Sequence, residues 1–217
     1  MADAFKESQN TLMDELDPFI HPAMSTCISR YFLANHWTKG KRVLDAATGK
    51  GYGAGILLSL GADYVCGIDI DKDGIVEANK RMNSTNVQYI ECDIFNLEDR
   101  FKKDEFEVCT SVETFEHLPP ERIDEYLQGL KHCTSETIVI TTPRRRVPEW
   151  HYNGGTHLYE YDQNEMNDIL TRNFEGWDIT AIGLNEVQLP NGQWGTDITT
   201  DLTNCWIFFC VLEKIKK

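Results

Sequence analysis

Residues 43–53 read VLDAATGKGYG: an apolar run meets an acid, then a turn with glycine at positions 49, 51 and 53. Closely spaced glycines let a backbone come up against a ligand, and the segment that follows, YGAGILLSLGA (residues 52–62), reads as a helix. The stretch is therefore a strand that turns into a helix N-terminus, a place suited to binding a small polar ligand. The same alternation continues downstream. YVCGIDI (64–70), VQYIECD (87–93), FEVCTSV (106–112) and TIVITTP (137–143) are short apolar runs of strand length. DGIVEANKRMN (73–83) and PPERIDEYLQGLKHC (119–133) carry apolar residues at helical spacing between them. Strands alternating with helices build a parallel sheet covered on both faces.

The last third departs from that rhythm. DQNEMNDILTRNF (162–174) opens with Asp162 and Glu165 at capping-box spacing and reads as a helix. WDITAIGLNEV (177–187) and NCWIFFCVLEK (204–214) follow as strands with no helix between them. Their connection, QLPNGQWGTDITTD (188–201), is too polar and turn-rich for a crossover, so the pair reads as an antiparallel hairpin at one edge. Residues 1–40 read as helical, with Met24, Cys27, Ile28, Tyr31 and Phe32 on one stripe, and form an N-terminal helical cap of the same domain. The expectation is one α/β domain over residues 41–217. Its core is a Rossmann-like, seven-stranded, mostly parallel sheet with helices on both faces. Its ligand crevice lies at the carboxyl ends of the strands, where strand order reverses.

Composition narrows the partners. A net charge of −14 repels a polyphosphate backbone, which excludes duplex DNA as a natural partner. No apolar run approaches the roughly 20 residues that span a bilayer, and the acidic start MADAFKESQNTLMDELD is unlike a signal peptide. The seven cysteines form no C-x-x-C pair and mostly sit singly in strand-like runs, so they read as buried thiols in a cytoplasmic protein. One basic run, Arg144-Arg145-Arg146, follows the fifth strand, where it could clamp an acidic group of an acceptor. Trp37, Trp150, Tyr152 and Trp194 are candidate walls of an acceptor pocket. Nothing in the sequence speaks to oligomeric state.

Three acids discriminate the ligand. Asp45, Asp69 and Asp93 end the first, second and third strands. A carboxylate at Asp45 beside the glycine turn repels a pyrophosphate but welcomes an ammonium or sulfonium. Asp69 is placed for ribose hydroxyls and Asp93 for an adenine amino group. Gly49, Gly51 and Ala54 also fit G-x-G-x-x-[GA], which leaves a nicotinamide-dependent oxidoreductase as a rival that Asp45 argues against. VLDAATGKGYG, GIDID and ECDIF together resemble the class I S-adenosylmethionine-dependent methyltransferases over roughly residues 40 to 215. The resemblance implies that Asp45, Ala47, Gly49 and Gly51 hold the methionine part, Asp69 the ribose, and Asp93 the adenine, with Ile70 and Ile94 flanking the ring. Ala47 stands where many members have glycine.

ETFEH (113–117) follows the fourth strand, at the edge where donor methyl and acceptor would meet. If these residues form one helical turn, Glu113, Glu116 and His117 share a face. The E-x-x-E-H pattern is similar to the ubiquinone-biosynthesis O-methyltransferases. With T-T-P and a later histidine, His157, it is also similar to the small-RNA 3′-terminal 2′-O-methyltransferases. In both, the matching residues bind a divalent metal, which here implies Glu113, Glu116, His117 and His157 around Mg²⁺, Mn²⁺ or Fe²⁺. Glu113, His117 and His157 are also the candidate catalytic groups, the histidines as metal-free bases in the alternative, and Glu160 is placed to orient His157. The resemblance implies O-methylation of a small molecule or saccharide, with an RNA 3′ end as the alternative acceptor. A catalytically idle binding module with the same fold is the remaining rival.

Overall fold

The computed structural model describes residues 22–82, 84–146 and 157–215. β1 (Arg42–Ala46) is buried at every position after its first and sits in mid-sheet, parallel to β2 (Tyr64–Asp69) on one side and β4 (Phe106–Val112) on the other. Strand order reverses between β1 and β4. β3 (Val87–Glu91) pairs parallel with β2, and β5 (Thr134–Pro143) parallel with β4. The remaining strands are β6 (Trp177–Gln188), β7 (Trp194–Thr199) and β8 (Ile207–Lys214), and the full order is β3-β2-β1-β4-β5-β8-β6-β7. The helices are α1 (Pro22–Thr38), α2 (Tyr52–Ser59), α3 (Lys72–Arg81), α4 (Leu97–Arg100), α5 (Ile123–Cys133) and α6 (Gln163–Asn173).

The architecture is the expected one with an eighth strand. The polar connection of residues 188–201 contains β7, which forms the edge hairpin with β6 around a turn at Leu189–Gln193. β8 lies antiparallel between β5 and β6 instead of closing the edge. Burial explains the exchange. β8 is buried at its first six residues and needs cover on both faces, whereas every residue of β7 is at least partly exposed and tolerates an edge.

Alternating strand residues feed two cores. Leu44, Ile68, Phe106, Ile138 and Ile140 face α5 and α6, where Tyr126, Leu127, Leu130, Met166 and Leu170 close the layer. Val43, Val65 and Val108 face α2 and α3 with Tyr31, Leu57 and Ala78, and Val139, Phe209 and Val211 lie under Ala34 of α1. Each large side chain so buried stabilises by about 1.5–3 kcal/mol, far above any helix propensity. All seven cysteines are free thiols, and six of them are buried. Among the described residues no helix is long and apolar enough to cross a membrane. Residues 1–21 of the expected cap, and Trp150 and Tyr152, lie outside the described residues.

Candidate active site

The turn after β1 is built by left-handed backbone. Ala47, Gly49 and Gly51 have φ of 59°, 56° and 79°. Glycine carries that geometry freely, while alanine pays about 1 kcal/mol for it, so Ala47 occupies a position shaped for glycine. The turn is laced to the end of β2. The Gly49 and Asp71 amides donate to the two oxygens of Asp69 at 2.7 and 2.8 Å, and the Thr48 amide donates to the Ile68 carbonyl at 2.8 Å. Burial raises the Asp69 pKa above its ordinary value. Gly51 caps α2, and a Cβ there would come within 2.6 Å of the Tyr89 ring.

The three acids stand at strand ends in different states. Asp45 is fully buried and accepts hydroxyl bonds from Thr48 at 2.6 Å, Thr110 at 2.7 Å and Tyr31 at 3.4 Å. Burial pushes its pKa up to about 6 against the pull of those bonds. Asp93 caps the turn at Ile94–Asn96, accepting from the Phe95 amide at 2.9 Å. Ile70, beside Asp69, is 65% exposed, and Ile94 is half-buried. An exposed isoleucine following an acid at a strand end is an apolar surface without internal cover.

ETFEH folds otherwise than one helical turn. Glu113 has φ of 52°, and only Phe115–His117 is helical, as a 3₁₀ turn. The neighbouring β5 residues Thr141 and Thr142 donate their hydroxyls to Glu113 Oε1 at 2.9 Å and Glu116 Oε2 at 3.0 Å. Two successive β5 hydroxyls thus hold one glutamate each, and the glutamates stay near enough for the charge of Glu113 to act on Glu116. Glu113 meets Arg30 of α1 at 3.4 Å, while Glu116 is fully buried on the α5 side. Of the four residues expected together, Glu113 is held by Arg30 and Thr141 and is not among the three whose ligand atoms gather most closely.

The other three converge. Ligand atoms of Glu116, His117 and His157 all lie within 4.8 Å of one another, and the two imidazole rings sit 5.0 Å apart at 75°. The backbone brings His157 in: the amides of Leu158 and Tyr159 both donate to the Glu116 carbonyl, at 2.7 and 3.1 Å. His157 Nδ1 lies 2.9 Å from Glu160 Oε1. Glu116 Oε1 is buried with no hydrogen-bond partner among the described residues. Burial, reinforced by the charge of Glu113, raises the Glu116 pKa well above the usual carboxylate range. His117 Nε2 lies 3.7 Å from this oxygen, and a buried carboxylate oxygen without a hydrogen bond beside an imidazole nitrogen fits a cation, since it otherwise keeps much of its desolvation penalty.

The sequence places Tyr31 only on an apolar stripe and gives Arg30 no role, yet these two almost wholly buried residues carry α1 onto Asp45 and Glu113. The available signal was an arginine next to the apolar stripe of a helix. The arginine run reads differently in three dimensions. Arg145 is 8% exposed and spent on Tyr159, Glu160, Asp162 and Glu165. Arg144 donates to the Cys205 carbonyl at 2.8 Å, and Arg146 stacks 4.2 Å over Trp206. Arg145 is thus committed to internal partners, while Arg146 stays exposed beside the exposed Trp206. Trp37 packs 6.2 Å from Phe209, and Trp194 starts the edge strand β7.

Residues 43–136, from β1 to the start of β5, match the family model described as a methyltransferase domain. That stretch of the chain is similar to a methyltransferase domain. A stretch of 71 residues is 34% identical to a ribosomal protein L11 methyltransferase of Thermotoga neapolitana, covering 33% of this chain and 26% of that one. Another of 83 residues is 35% identical to a ubiquinone biosynthesis O-methyltransferase of Neisseria meningitidis serogroup C, covering 37% of this chain and 35% of that one. The chain thus matches about a third or less of the length of these curated relatives. The solved methyltransferase domain of bacterial CtHen1-C superposes with a TM-score of 0.68 at 15% identity, over 90% of this chain and 100% of that one. The domain shares its fold with solved S-adenosylmethionine-dependent methyltransferases.

Proposed function

We propose that the chain transfers a methyl group from S-adenosylmethionine to a hydroxyl of a small molecule or saccharide, assisted by a divalent cation held by Glu116, His117 and His157. The observation that carries the reading is the convergence of Glu116, His117 and His157 within 4.8 Å, around a fully buried Glu116 oxygen that has no hydrogen bond among the described residues and lies 3.7 Å from His117 Nε2. The acidity of the chain favours a small acceptor over a long polyanion.

Asp69 and Asp93 accept from the ribose hydroxyls and the adenine amino group, and Ile70 and Ile94 cover the ring faces. The glycine turn brings backbone close to the amino-acid end, with the Asp45 carboxyl buried behind it. A sulfonium is already a strong electrophile, so the work left to the protein is alignment of an acceptor oxygen with the methyl carbon. A divalent cation, when bound, supplies acidification of the alcohol and a template for a pair of neighbouring oxygens. One carboxylate with two imidazoles suits Mn²⁺ or Fe²⁺ better than Mg²⁺, which prefers an all-oxygen shell.

The test is transfer of a labelled methyl group to a panel of vicinal diols, run with and without chelator. Transfer that collapses on chelation and returns with Mn²⁺, and that Glu116→Ala abolishes, supports the reading. Transfer indifferent to chelator and to Glu116→Ala removes the cation and leaves methyl transfer standing. Failure to bind S-adenosylhomocysteine removes both.

A further inference from the structure

We propose that Glu160, backed by Arg145, is a positioning residue that presents His157 through Nε2 to the cation; this rests on the Glu116–His117–His157 set being the cation site. The segment from His157 to Asp162 is an arm fixed at both ends. At one end Leu158 and Tyr159 hang from the Glu116 carbonyl. At the other, Asp162 and Glu165 close a capping box at the start of α6.

Arg145 ties the arm to β5. Its guanidinium reaches the Tyr159 hydroxyl at 3.1 Å, the Glu160 carbonyl at 3.2 Å, Asp162 Oδ2 at 2.7 Å and Glu165 Oε2 at 2.9 Å. The Tyr159 hydroxyl in turn donates to Glu165 Oε1 at 2.7 Å. A guanidinium held by two carboxylates and two oxygens in fork geometry cannot shift without breaking several charge-assisted bonds together, so the Glu160 backbone is fixed. The Glu160 side chain then meets His157 Nδ1 at 2.9 Å. A carboxylate accepts but does not donate, so the proton of a neutral imidazole sits on Nδ1 and the lone pair on Nε2. A carboxylate behind a histidine fixes the tautomer and ring orientation. The buried arginine that reads from sequence as an acceptor clamp thus acts two bonds behind the site.

The experiment uses the full chain near neutral pH, with Mn²⁺ binding by calorimetry and the His157 tautomer by nitrogen–proton correlation in the metal-free protein. Glu160→Ala is expected to weaken Mn²⁺ binding roughly ten- to a hundredfold and to release the Nδ1 proton preference. Glu160→Gln, whose amide oxygen still accepts from Nδ1, should keep the tautomer and recover most of the affinity. Glu160→Ala that binds Mn²⁺ as tightly as wild type with an unchanged tautomer overturns the proposal. A wild-type chain that takes up no Mn²⁺ refutes the cation reading instead, and the tautomer shift alone then decides the role of Glu160.

Discussion

Asp45 shows how a side chain can be legible in type and not in state. An acid ending the first strand is visible in VLDAA, but its burial under Tyr31, Thr48 and Thr110 depends on a helix and a strand far away in sequence. Its pKa of about 6 in the fold lies above the ordinary 3.8. Between those values the folded chain binds a proton that the unfolded chain has released, so stability falls as pH rises through this window. Two pKa units correspond to roughly 3 kcal/mol, fully lost above about pH 6. Asp69 and Glu116, raised in the same direction, add to the slope. Urea unfolding of wild type and Asp45→Asn from about pH 4 to about pH 7 should show a shallower decline in the variant. Parallel pH profiles would mean that Asp45 titrates normally. Glu113 is the opposite case. E-x-x-E-H names two glutamates on one helical face, and nothing local to the sequence states that Glu113 takes φ of 52° and leaves it.

At the scale of elements, α1 docks by replacing side-chain volume with glycine. A Cβ on Gly53, in the first turn of α2, would collide with the Tyr31 ring. Gly53→Ala should therefore destabilise by about 1–3 kcal/mol through overpacking, against a small gain in helix propensity. In a Tyr31→Ala background the same change should cost little. A double-mutant cycle on denaturation midpoints measures the coupling, and an additive result would mean that α1 does not press on α2. The sequence shows glycine at 53 and an apolar stripe on α1, but not that one was made for the other. β7 escaped for a different reason. Its face is too polar to alternate, because an edge strand with water on one side has little apolar surface to reveal. The inner strands were legible because two-sided burial writes them as unbroken apolar runs.

For the whole molecule, a mostly parallel sheet with helices on both faces followed from alternation, since right-handed crossovers leave few other ways to stack strand and helix. What alternation could not supply was the place of β8, which depends on a return across the sheet. A net charge of −14 on a domain this size means self-repulsion that salt should relieve. The thermal midpoint is expected to rise by a few degrees between about 0.02 M and about 0.3 M NaCl. A fall would show that ion pairs such as the part-buried Lys41–Glu136 and the exposed Arg172–Asp124 contribute more than the repulsion takes away.

The Glu116 carbonyl, which receives the amides of Leu158 and Tyr159, joins two segments separated by all of α5 and β5. Closing so long a loop is entropically slow and is rewarded only when its ends can dock. The three converging side chains thus have no nascent form in a partly folded chain: β4, β5 and α6 must be in place before the third arm arrives. Convergence of Glu116, His117 and His157 waits on docking of the segment after β5, whereas the glycine turn is laced to β2 a short way along the chain.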